Sequence, residues 1–334
     1  MKAAVLFELN KPLVVTDVSL TELSIGQVLV KVLVSGICGS QLNEINGNKG
    51  NVKFLPHLMG HEGCGIVEKI GPGVTHFTIG DKVVMHWRQS TGIESVFPKY
   101  ILDGKEISSG KVNTLTENAI VSENRLTKVP IETEPEFAAL LGCSLTTAFG
   151  IIDNESNLKF GETVAIIGCG GVGLNLITAA RLKGAGEIHA VDIASSKHEL
   201  TISQGGNFFH NSIQDLPNGI DLLIDTTGNV DIISHAFQKL SIWGRVLLVG
   251  QPIPGETLKI PNAIRLFDGA GIELRASQGG RTVPYVDIPR YLQLFKLGYL
   301  PIGKLITHRY RLGDINEAFT TLKSGQAGRI MIAP

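Results

Sequence analysis

Cysteine is scarce in this chain, with four residues in 334: Cys38, Cys64, Cys143 and Cys169. They lie far apart, unlike the closely spaced cysteines of a disulfide-rich secreted domain, and such thiols are typical of buried or metal-binding positions in a reducing compartment. No two of them form a C-x-x-C pair, which excludes a structural zinc site built from four cysteines.

The chain also lacks an excess charge and a long apolar run. Thirty basic residues against 31 acidic ones leave a formal net charge of −1, so no basic surplus is present to neutralise nucleic-acid phosphates. No segment sustains the roughly 18 apolar residues of a membrane span. The first residues, MKAAVLFELNKP, lack the apolar centre of a signal peptide. We therefore expect a cytoplasmic protein without nucleic-acid or membrane partners.

Glycine is abundant instead, with 39 residues in a chain that is 43% hydrophobic, a composition that suits an α/β enzyme. The length exceeds what one small core needs, which predicts two domains. Residues 1–145 contain short alternating runs such as QVLVKVLVSGI, GIVEKIG and DKVVMHW, separated by glycine and proline turns. These runs predict a small barrel-like β domain. We predict a long surface loop over residues 88–115, which are polar and rich in turn formers.

The pattern changes over residues 146–281, where apolar strands alternate with helix candidates. The strand candidates are TVAIIG, EIHAVDI, DLLIDTTG and GRVLLVG, and GVGLNLITAARLKG has helical spacing. Such alternation indicates a parallel sheet covered by helices on both faces. Residues 282–334 again mix helix and strand signals, with the helix candidate INEAFTTLKSG and the apolar run RIMIA. The predicted fold class is therefore α/β.

A glycine loop stands between the first strand and helix of this alternating region. Gly168, Gly170 and Gly173 form G-x-G-x-x-G within GCGGVG, and Gly171 opens the helical segment. Glycines allow a tight turn and close approach of the backbone, and the helix N-terminus presents free N–H groups to a pyrophosphate. The loop therefore predicts a dinucleotide site, with an ordinary glycine turn as the alternative.

Asp192 ends the next strand candidate, 24 positions after the first glycine of the loop. A carboxylate there accepts hydrogen bonds from both ribose hydroxyls and repels a 2′-phosphate, which favours NAD over NADP. Lys197 is either a further ribose contact or a plain surface lysine.

Three ligand-type residues indicate a metal: Cys38 in SGICGS, His61 in GHEG and Cys143 in LLGCS. Two thiolates and an imidazole leave the fourth tetrahedral position open, which is the arrangement of catalytic zinc. Their wide separation suits a catalytic site, because a structural finger needs close pairs. Spacing alone does not show that the three residues meet.

Taken together, GICGS, GHEG, LLGC, GCGGVG and Asp192 resemble the zinc-containing alcohol dehydrogenases of the medium-chain dehydrogenase/reductase superfamily. The resemblance runs in order along nearly the whole chain. It implies a GroES-like catalytic domain (residues 1–145 and 282–334) interrupted by a Rossmann NAD-binding domain (residues 146–281), with the active site between them. It also implies an oxidoreductase that transfers a hydride between a small-molecule alcohol and NAD, and a homodimer or homotetramer.

The resemblance assigns roles to single residues as well. Cys38, His61 and Cys143 would hold the catalytic zinc, with Glu62 behind the metal as a possible fourth ligand. Zinc would act as a Lewis acid on the substrate oxygen, and Ser40 would relay the departing proton. The remaining cofactor contacts would be Thr147 and Val172 at the nicotinamide ring, the Val249 carbonyl at the carboxamide, and Arg329 at the pyrophosphate.

Four features depart from the family pattern. Gln41 stands where many relatives have an aspartate that orients the histidine ligand, and an amide supplies less charge there. Asn43 stands where some members end the proton relay with a histidine. Gly39 replaces an arginine that contacts the cofactor phosphate in some members. Residues 88–110 contain no cysteine, so we expect one zinc per chain and no structural zinc.

The substrate is less constrained. His86 and Trp87, with Arg88, are predicted to form a polar, aromatic pocket for a polyol, sugar or other hydroxylated substrate, although Trp87 fits core packing equally well. The leading hypothesis is an NAD-dependent secondary alcohol or polyol dehydrogenase. The alternatives are a zinc-free quinone or enoyl reductase of the same superfamily and a catalytically silent cofactor-binding protein. Cys64 and Cys169 are predicted to be small buried fillers.

Overall fold

The computed structural model describes residues 1–50, 52–269 and 271–334. The chain divides into two compact units. The first unit comprises Met1–Thr146, Val283–Leu294 and Ile306–Pro334, and the second comprises Thr147–Thr282 and Phe295–Leu305. The domain boundaries at 145/146 and 281/282 stay predictions.

Strands occur throughout the chain. In order they are β1 (Lys2–Leu6), β2 (Val14–Asp17), β3 (Ser19–Leu20), β4 (Gln27–Ile37), β5 (His57–Leu58), β6 (Glu62–Ile70), β7 (Lys82–His86), β8 (Lys99–Leu102), β9 (Lys105–Ser109), β10 (Asn118–Ser122), β11 (Leu126–Lys128), β12 (Thr163–Ile167), β13 (Glu187–Val191), β14 (Phe208–His210), β15 (Ile220–Asp225), β16 (Leu240–Leu248), β17 (Glu273–Ala276), β18 (Ile306–Arg311) and β19 (Arg329–Ala333).

The helices are mostly short. In order they are α1 (Gly39–Ile45), α2 (Pro135–Leu140), α3 (Ser144–Gly150), α4 (Gly171–Lys183), α5 (His198–Ser203), α6 (Val230–Ala236), α7 (Pro284–Lys296), α8 (Ile302–Leu305) and α9 (Ile315–Lys323). A π-helical turn, Ile151–Glu155, follows α3. Within the described ranges, every helix is too short or too polar to cross a bilayer.

The first unit is β-rich, as its alternating runs predict. One sheet has the order β2-β1-β5-β9-β8-β3, and the other has the order β11-β7-β6-β4-β19-β18, with β10 also paired to β4. The long strand β4 forms the centre because Val28, Val30, Val32 and Val34 alternate into the core. Its antiparallel pairing with β6 and β19 joins the first quarter of the chain to its last residues.

The prediction of a continuous loop over residues 88–115 is wrong, because β8 and β9 form an antiparallel hairpin inside it. Asp103 and Gly104 form the two-residue turn, with φ of 48° and 75°. Positive φ at both positions is the requirement of a type I′ hairpin turn, and Asp-Gly is its usual sequence. Tyr100 of β8 is fully buried and donates a 2.5 Å hydrogen bond to Asn113 Oδ1. The Asp-Gly pair between the short runs KYIL and KEISS was the signal overlooked.

The second unit contains a six-stranded sheet with the order β14-β13-β12-β15-β16-β17, in which neighbouring strands are parallel. Its central strands β12 and β15 are largely apolar because helices cover both faces of such a sheet. The strand order reverses between β12 and β15, and ligands of doubly wound sheets bind beyond the carboxyl ends of the strands at this point. The topology therefore places the glycine loop after β12 at the expected binding edge.

Candidate functional site

The three predicted ligands meet in the first unit. Cys38 follows β4 as the N-cap of α1, His61 directly precedes β6, and Cys143 lies in the turn between α2 and α3. Antiparallel pairing of β4 with β6, with Ser35 opposite Gly63, brings the first two together. The thiol sulfurs and an imidazole nitrogen all lie within 4.8 Å of one another.

This geometry fits zinc. Tetrahedral zinc with Zn–S bonds of about 2.3 Å and Zn–N bonds of about 2.0 Å separates its ligand atoms by about 3.5–3.8 Å. The cluster therefore needs little rearrangement to share one ion, and sulfur with imidazole nitrogen is a donor set that zinc favours.

Interactions among the three candidate ligands also shift their pKa values. A hydrogen bond from Cys143 holds the pKa of Cys38 well below its usual range, while the same contact raises the pKa of Cys143. Burial lowers the pKa of His61, but its hydrogen bond and charge interaction with Cys38 outweigh burial and raise it. The cluster thus favours a thiolate at Cys38, which is the form that binds metal.

A buried ion pair lies directly behind the ligands. Glu62 is completely buried, and its Oε1 contacts Arg329 Nη2, while its Oε2 accepts a 3.3 Å hydrogen bond from the backbone N–H of Ser144. Burial raises the pKa of Glu62, and the Arg329 guanidinium opposes that shift. A Cβ at Gly36 would lie 2.7 Å from Glu62 Oε1, so a larger residue here would displace the Glu62 carboxylate. The structure thus pairs the proposed fourth ligand with the residue expected at the pyrophosphate.

Helix α1 carries the residues that depart from the family pattern. Gln41 Oε1 accepts a 2.8 Å hydrogen bond from the backbone N–H of Cys38. Ser40 is half-buried beside it, and the Asn43 side chain accepts a 3.4 Å hydrogen bond from Asn48. A Cβ at Gly39 would meet no atom within 4 Å, so the space of the missing arginine is open.

Sequence reasoning overlooked a second pair on this helix. Glu44 Oε1 lies 2.9 Å from Nε2 of His57, a residue of β5. Burial raises the pKa of Glu44, but the hydrogen bond to His57 and the positive charge of Lys49 lower it overall. One helical turn separates Glu44 from Ser40, which is the signal that could have linked this carboxylate to the site.

The glycine loop of the second unit joins β12 to α4. Gly168 has φ of 90°, and a Cβ at Gly173 would lie only 1.8 Å from the Gly168 carbonyl oxygen. Both positions therefore require glycine for the loop to close against its own helix. Gly170 is the N-cap of α4, and Gly171 is its first residue, which leaves the helix N–H groups at the loop.

Asp192 follows β13 directly, and the loop fixes its carboxylate. Its Oδ2 accepts a 2.7 Å hydrogen bond from the backbone N–H of Cys169, and its Oδ1 accepts one of 2.9 Å from Ala194. Lys197 is only 1% exposed, so the alternative of a plain surface lysine is wrong. Burial lowers the pKa of Lys197, and the charge of Asp192 opposes this.

The other predicted cofactor residues also lie in the second unit. Thr147 is buried in α3, and Val172 is half-buried in the first turn of α4. Val249 follows β16, and its backbone N–H donates a 2.8 Å hydrogen bond to the Asp225 carbonyl. Val172 and Val249 thus follow the carboxyl ends of β12 and β16, at the binding edge of the sheet.

Comparisons with known proteins identify the family. The family model "Alcohol dehydrogenase GroES-like domain" matches residues 24–131, and "Zinc-binding dehydrogenase" matches residues 171–295. Alcohol dehydrogenase class-3 of Drosophila melanogaster is 30% identical over 370 residues, which cover 99% of this chain and 97% of that protein. This chain is a member of the zinc-containing alcohol dehydrogenase family.

Other members agree in sequence and structure. The S-(hydroxymethyl)glutathione dehydrogenase of Synechocystis sp. is 28% identical, with 99% of each chain covered. The crystal structure of benzyl alcohol dehydrogenase from Acinetobacter calcoaceticus superposes with a TM-score of 0.89 at 25% identity, covering 99% of this chain and 98% of that one. The predicted family, the GroES-like plus Rossmann fold class and the oxidoreductase class acting on CH–OH donors are therefore confirmed.

The residues expected to line the substrate pocket of this alcohol dehydrogenase differ in accessibility. His86 is 1% exposed, with Nδ1 at 2.8 Å from the Arg88 carbonyl and Nε2 at 2.9 Å from Thr127 Oγ1. Burial lowers the pKa of His86 to about 4, so the ring is neutral near pH 7. Both of its nitrogens have protein partners, which leaves none for a substrate.

Trp87 and Arg88 are half-buried, and the Arg88 guanidinium lies 5.5 Å from the centre of the Trp87 ring. Arg125, which sequence reasoning overlooked, donates from Nη1 to the Trp87 carbonyl. Its Nε and Nη2 donate hydrogen bonds of 3.2 and 3.1 Å to the two carboxylate oxygens of Glu94. The main chain at Trp87 is therefore firmly held.

The two remaining cysteines are fillers, as predicted. Cys64 and Cys169 are completely buried, and burial raises the pKa of each thiol to about 12. Neither is a ready metal ligand or nucleophile.

Proposed function

We propose that this alcohol dehydrogenase transfers a hydride between a secondary or polyol-type alcohol and NAD, with one catalytic zinc held by Cys38, His61 and Cys143. The observation that carries the proposal is the convergence of two thiols and an imidazole within 4.8 Å. These three residues come from separate segments of the chain, so their meeting is a property of the fold and not of one local motif.

The residues of this chain divide the work of the reaction. When bound, zinc supplies Lewis acidity at the alcohol oxygen, and NAD supplies the hydride acceptor. Ser40, two residues after Cys38, accepts the hydroxyl proton of the substrate while it passes its own to solvent or to a ribose hydroxyl of the cofactor. Glu62 and Arg329 balance each other behind the ligands, so the buried charge of the two thiolates faces a neutral pair.

Zinc content and turnover test the proposal together. Metal-replete protein should contain one zinc per chain and reduce NAD with some members of a panel of polyols, sugars, hydroxy acids and simple alcohols. Absence of bound zinc with retained quinone or enoyl reduction would favour the zinc-free reductase instead. Zinc and NAD binding without turnover of any panel member would favour a silent cofactor-binding protein.

One zinc per chain follows from the lack of cysteine over residues 88–110. The four cysteines are free thiols, which supports a reducing, cytoplasmic location. The metal analysis tests the count directly, since a second, structural zinc would give two per chain.

NAD specificity is proposed to depend on Asp192, because the backbone N–H groups of Cys169 in the loop and of Ala194 fix its carboxylate. Asp192→Asn keeps the size and removes the charge that opposes a 2′-phosphate. We expect the ratio of kcat/KM for NAD over NADP to fall about tenfold, as the loss of a charged hydrogen bond predicts. An unchanged ratio would assign the preference to other residues.

A hydroxylated substrate is proposed from Trp87 and Arg88, which present an aromatic face and a guanidinium next to each other. Trp87→Ala and Arg88→Ala should change the order of preference within the alcohol panel. The same order in both variants would remove these residues from the pocket. Trp87→Phe serves as the control that keeps an aromatic ring.

A homo-oligomer is proposed from the free edge of the second unit's sheet. Strand β17 ends this sheet, and apolar side chains on and near it are exposed, namely Leu274, Trp243, Ile242 and Phe267. An exposed apolar edge strand is a surface that a second copy can cover. Sedimentation should show a dimer or tetramer, and Leu274→Lys should shift it toward monomer.

A further inference from the structure

The chain that follows β7 runs beside the candidate metal ligands. In the antiparallel register of β6 and β7, Glu62 lies opposite His86, and Trp87 is the next residue. His61 directly precedes Glu62 on the facing strand, so the main chain at Trp87 leaves β7 next to a candidate ligand. The Trp87 ring and the Arg88 guanidinium, 5.5 Å apart, therefore extend from a main chain at the edge of the metal cluster.

The Trp87 carbonyl lies beyond the end of β7 and is held by a side chain instead of a ladder. The backbone pairing of β7 with β11 ends at Met85 and Leu126. Past that point, Arg125 donates from Nη1 to the Trp87 carbonyl oxygen. Its Nε and Nη2 donate to the two carboxylate oxygens of Glu94. One guanidinium thus joins Trp87 to Glu94, because its planar fork supplies donors in more than one direction.

Glu94 is the fixed point of this arrangement. Its Oε1 also lies 2.9 Å from Nζ of Lys111, which donates a second hydrogen bond of 3.1 Å to the Ser95 carbonyl. Burial raises the pKa of Glu94, but hydrogen bonds from side chains, led by those of Arg125 and Lys111, lower it to about 2. The carboxylate is therefore ionised throughout the pH range of an enzyme assay. A charged pair with two contacts orients a guanidinium more strictly than a single contact does.

We propose that Arg125 and Glu94 are positioning residues that set the substrate preference. Glu94 orients the guanidinium of Arg125, and this guanidinium fixes the main chain of Trp87. The Trp87 and Arg88 side chains then keep one orientation toward the substrate. This inference rests on the proposed function, and within it on the pocket role of Trp87 and Arg88. A pocket wall that is fixed before the substrate arrives loses no freedom on binding, so it discriminates better between alcohols of different shape.

Three variants separate the charge of the pair from its geometry. Arg125→Met keeps an apolar stem and removes every donor, whereas Arg125→Lys keeps the charge and loses the fork. Glu94→Gln keeps the shape of the side chain and removes the charge that orients the guanidinium. Thermal unfolding and zinc content establish that each variant is folded and loaded.

Arg245 of the second unit provides the matched control. Its side chain is 12% exposed, as is that of Arg125. It likewise donates to a backbone carbonyl, that of Ser156 at 3.0 Å, and to both carboxylate oxygens of Glu162, at 3.0 and 2.5 Å. Arg245→Met therefore removes an equivalent set of hydrogen bonds in the other unit.

The first readout is the mobility of the Trp87 ring, which requires no turnover. The chain contains two tryptophans, Trp87 and Trp243, so Trp87 is the single indole emitter in a Trp243→Phe background. Time-resolved fluorescence anisotropy and acrylamide quenching then report on this ring alone. We expect Arg125→Met and Glu94→Gln to add a nanosecond decay of anisotropy and to raise the quenching constant, because the ring gains side-chain motion. Arg125→Lys should lie between these variants and the wild type, and Arg245→Met should match the wild type.

The second readout is kcat/KM across the alcohol panel. Arg125→Met should raise KM for the preferred alcohol about 10- to 100-fold, which is the size of effect that a displacement of about 1 Å produces. The value of kcat should stay within about twofold, because the wall binds the substrate without contacting the reacting atoms. The spread of kcat/KM between panel members should narrow accordingly, and Arg125→Lys should recover part of it.

The two readouts together decide the role of Arg125 and Glu94. A wild-type Trp87 signal or a wild-type order of preference in Arg125→Met would overturn the proposal. Equal effects in Arg245→Met would also overturn it, since they would indicate a general loosening of the chain. If Arg125→Met does not fold, Glu94→Gln decides the result. A wild type that turns over no alcohol refutes the proposed function, whereas an active wild type with unaffected variants refutes only the role of this pair.

Discussion

The candidate metal cluster and the glycine loop are built in opposite ways. The cluster collects Cys38, His61 and Cys143 from three separate segments of the first unit. The loop is one continuous stretch between β12 and α4 in the second unit, completed by Asp192. A continuous site can be recognised from a local sequence motif, whereas a dispersed site forms only after distant strands have paired.

The two regions also differ in what holds them. The cluster depends on charged side chains in a buried setting, with perturbed pKa values at its cysteines and histidine and an ion pair behind them. The loop depends on backbone geometry, with glycines where a Cβ would collide. Charge-changing variants should therefore damage the cluster most, and small steric ones the loop.

Removing a ligand should separate the two regions most clearly. Cys38→Ala should abolish stable zinc binding and lower kcat/KM about a thousandfold or more, because Lewis-acid stabilisation is worth several kcal/mol. NADH affinity, measured by fluorescence titration, should stay within about twofold. Cys64→Ala, at a buried non-ligand thiol, should keep zinc and activity. A comparable loss of NADH affinity in Cys38→Ala would mean that the sites are not independent.

Breaking the buried ion pair between Glu62 and Arg329 should have the second-largest effect. Glu62→Gln leaves the Arg329 guanidinium buried without its counter-charge, which typically costs about 3–5 kcal/mol of unfolding free energy. Urea unfolding measures this. The control is Glu136→Gln, which breaks the exposed pair with Arg309 and should cost less than about 1 kcal/mol. Equal losses of unfolding free energy in the two variants would contradict the charge balance proposed between Glu62 and Arg329.

A single methyl group should disable the loop. Gly173→Ala places a Cβ 1.8 Å from the Gly168 oxygen, so the loop must move. We expect about a hundredfold weaker NADH binding, within the usual cost of overpacking, and unchanged zinc content. Gly303→Ala, where a Cβ meets nothing within 4 Å, is the control in the same unit. Retained NADH affinity in Gly173→Ala would remove the loop from the binding site.

Mild acid should affect the first unit through His86. Burial lowers its pKa to about 4, below the value of about 6.5 in an unfolded chain, so the unfolded state binds more protons between these values. The contribution of His86 to the free energy of unfolding is therefore fully present above about pH 6.5 and decreases as the pH drops toward 4. Zinc-loaded protein should lose about 2 kcal/mol of unfolding free energy between pH 7 and pH 5 from this group.

His86→Gln removes the titrating ring and should flatten that part of the pH profile. Urea unfolding at the two pH values provides the comparison. An equally steep profile in His86→Gln would assign the acid sensitivity to another group.

Much of the architecture was predictable because its signals are local. The alternation of Val28, Val30, Val32 and Val34 identified β4, and the apolar run over Thr163–Ile167 identified β12. The hairpin of β8 and β9 was missed although Asp103 and Gly104 carry a turn signal, because the surrounding polar residues favoured a loop. The convergence of the three candidate ligands was predictable only through family motifs, since spacing along the chain does not report distance in space.

The sequence by itself determined the strand and helix periods, the glycine loop and the types of ligand residue, because these depend on neighbours along the chain. Only the tertiary structure decided that Glu62 faces Arg329, that Gln41 holds Cys38 and that both nitrogens of His86 are engaged. Each of these contacts joins partners through packing, and the energy of a buried charge or donor depends on what the fold places against it.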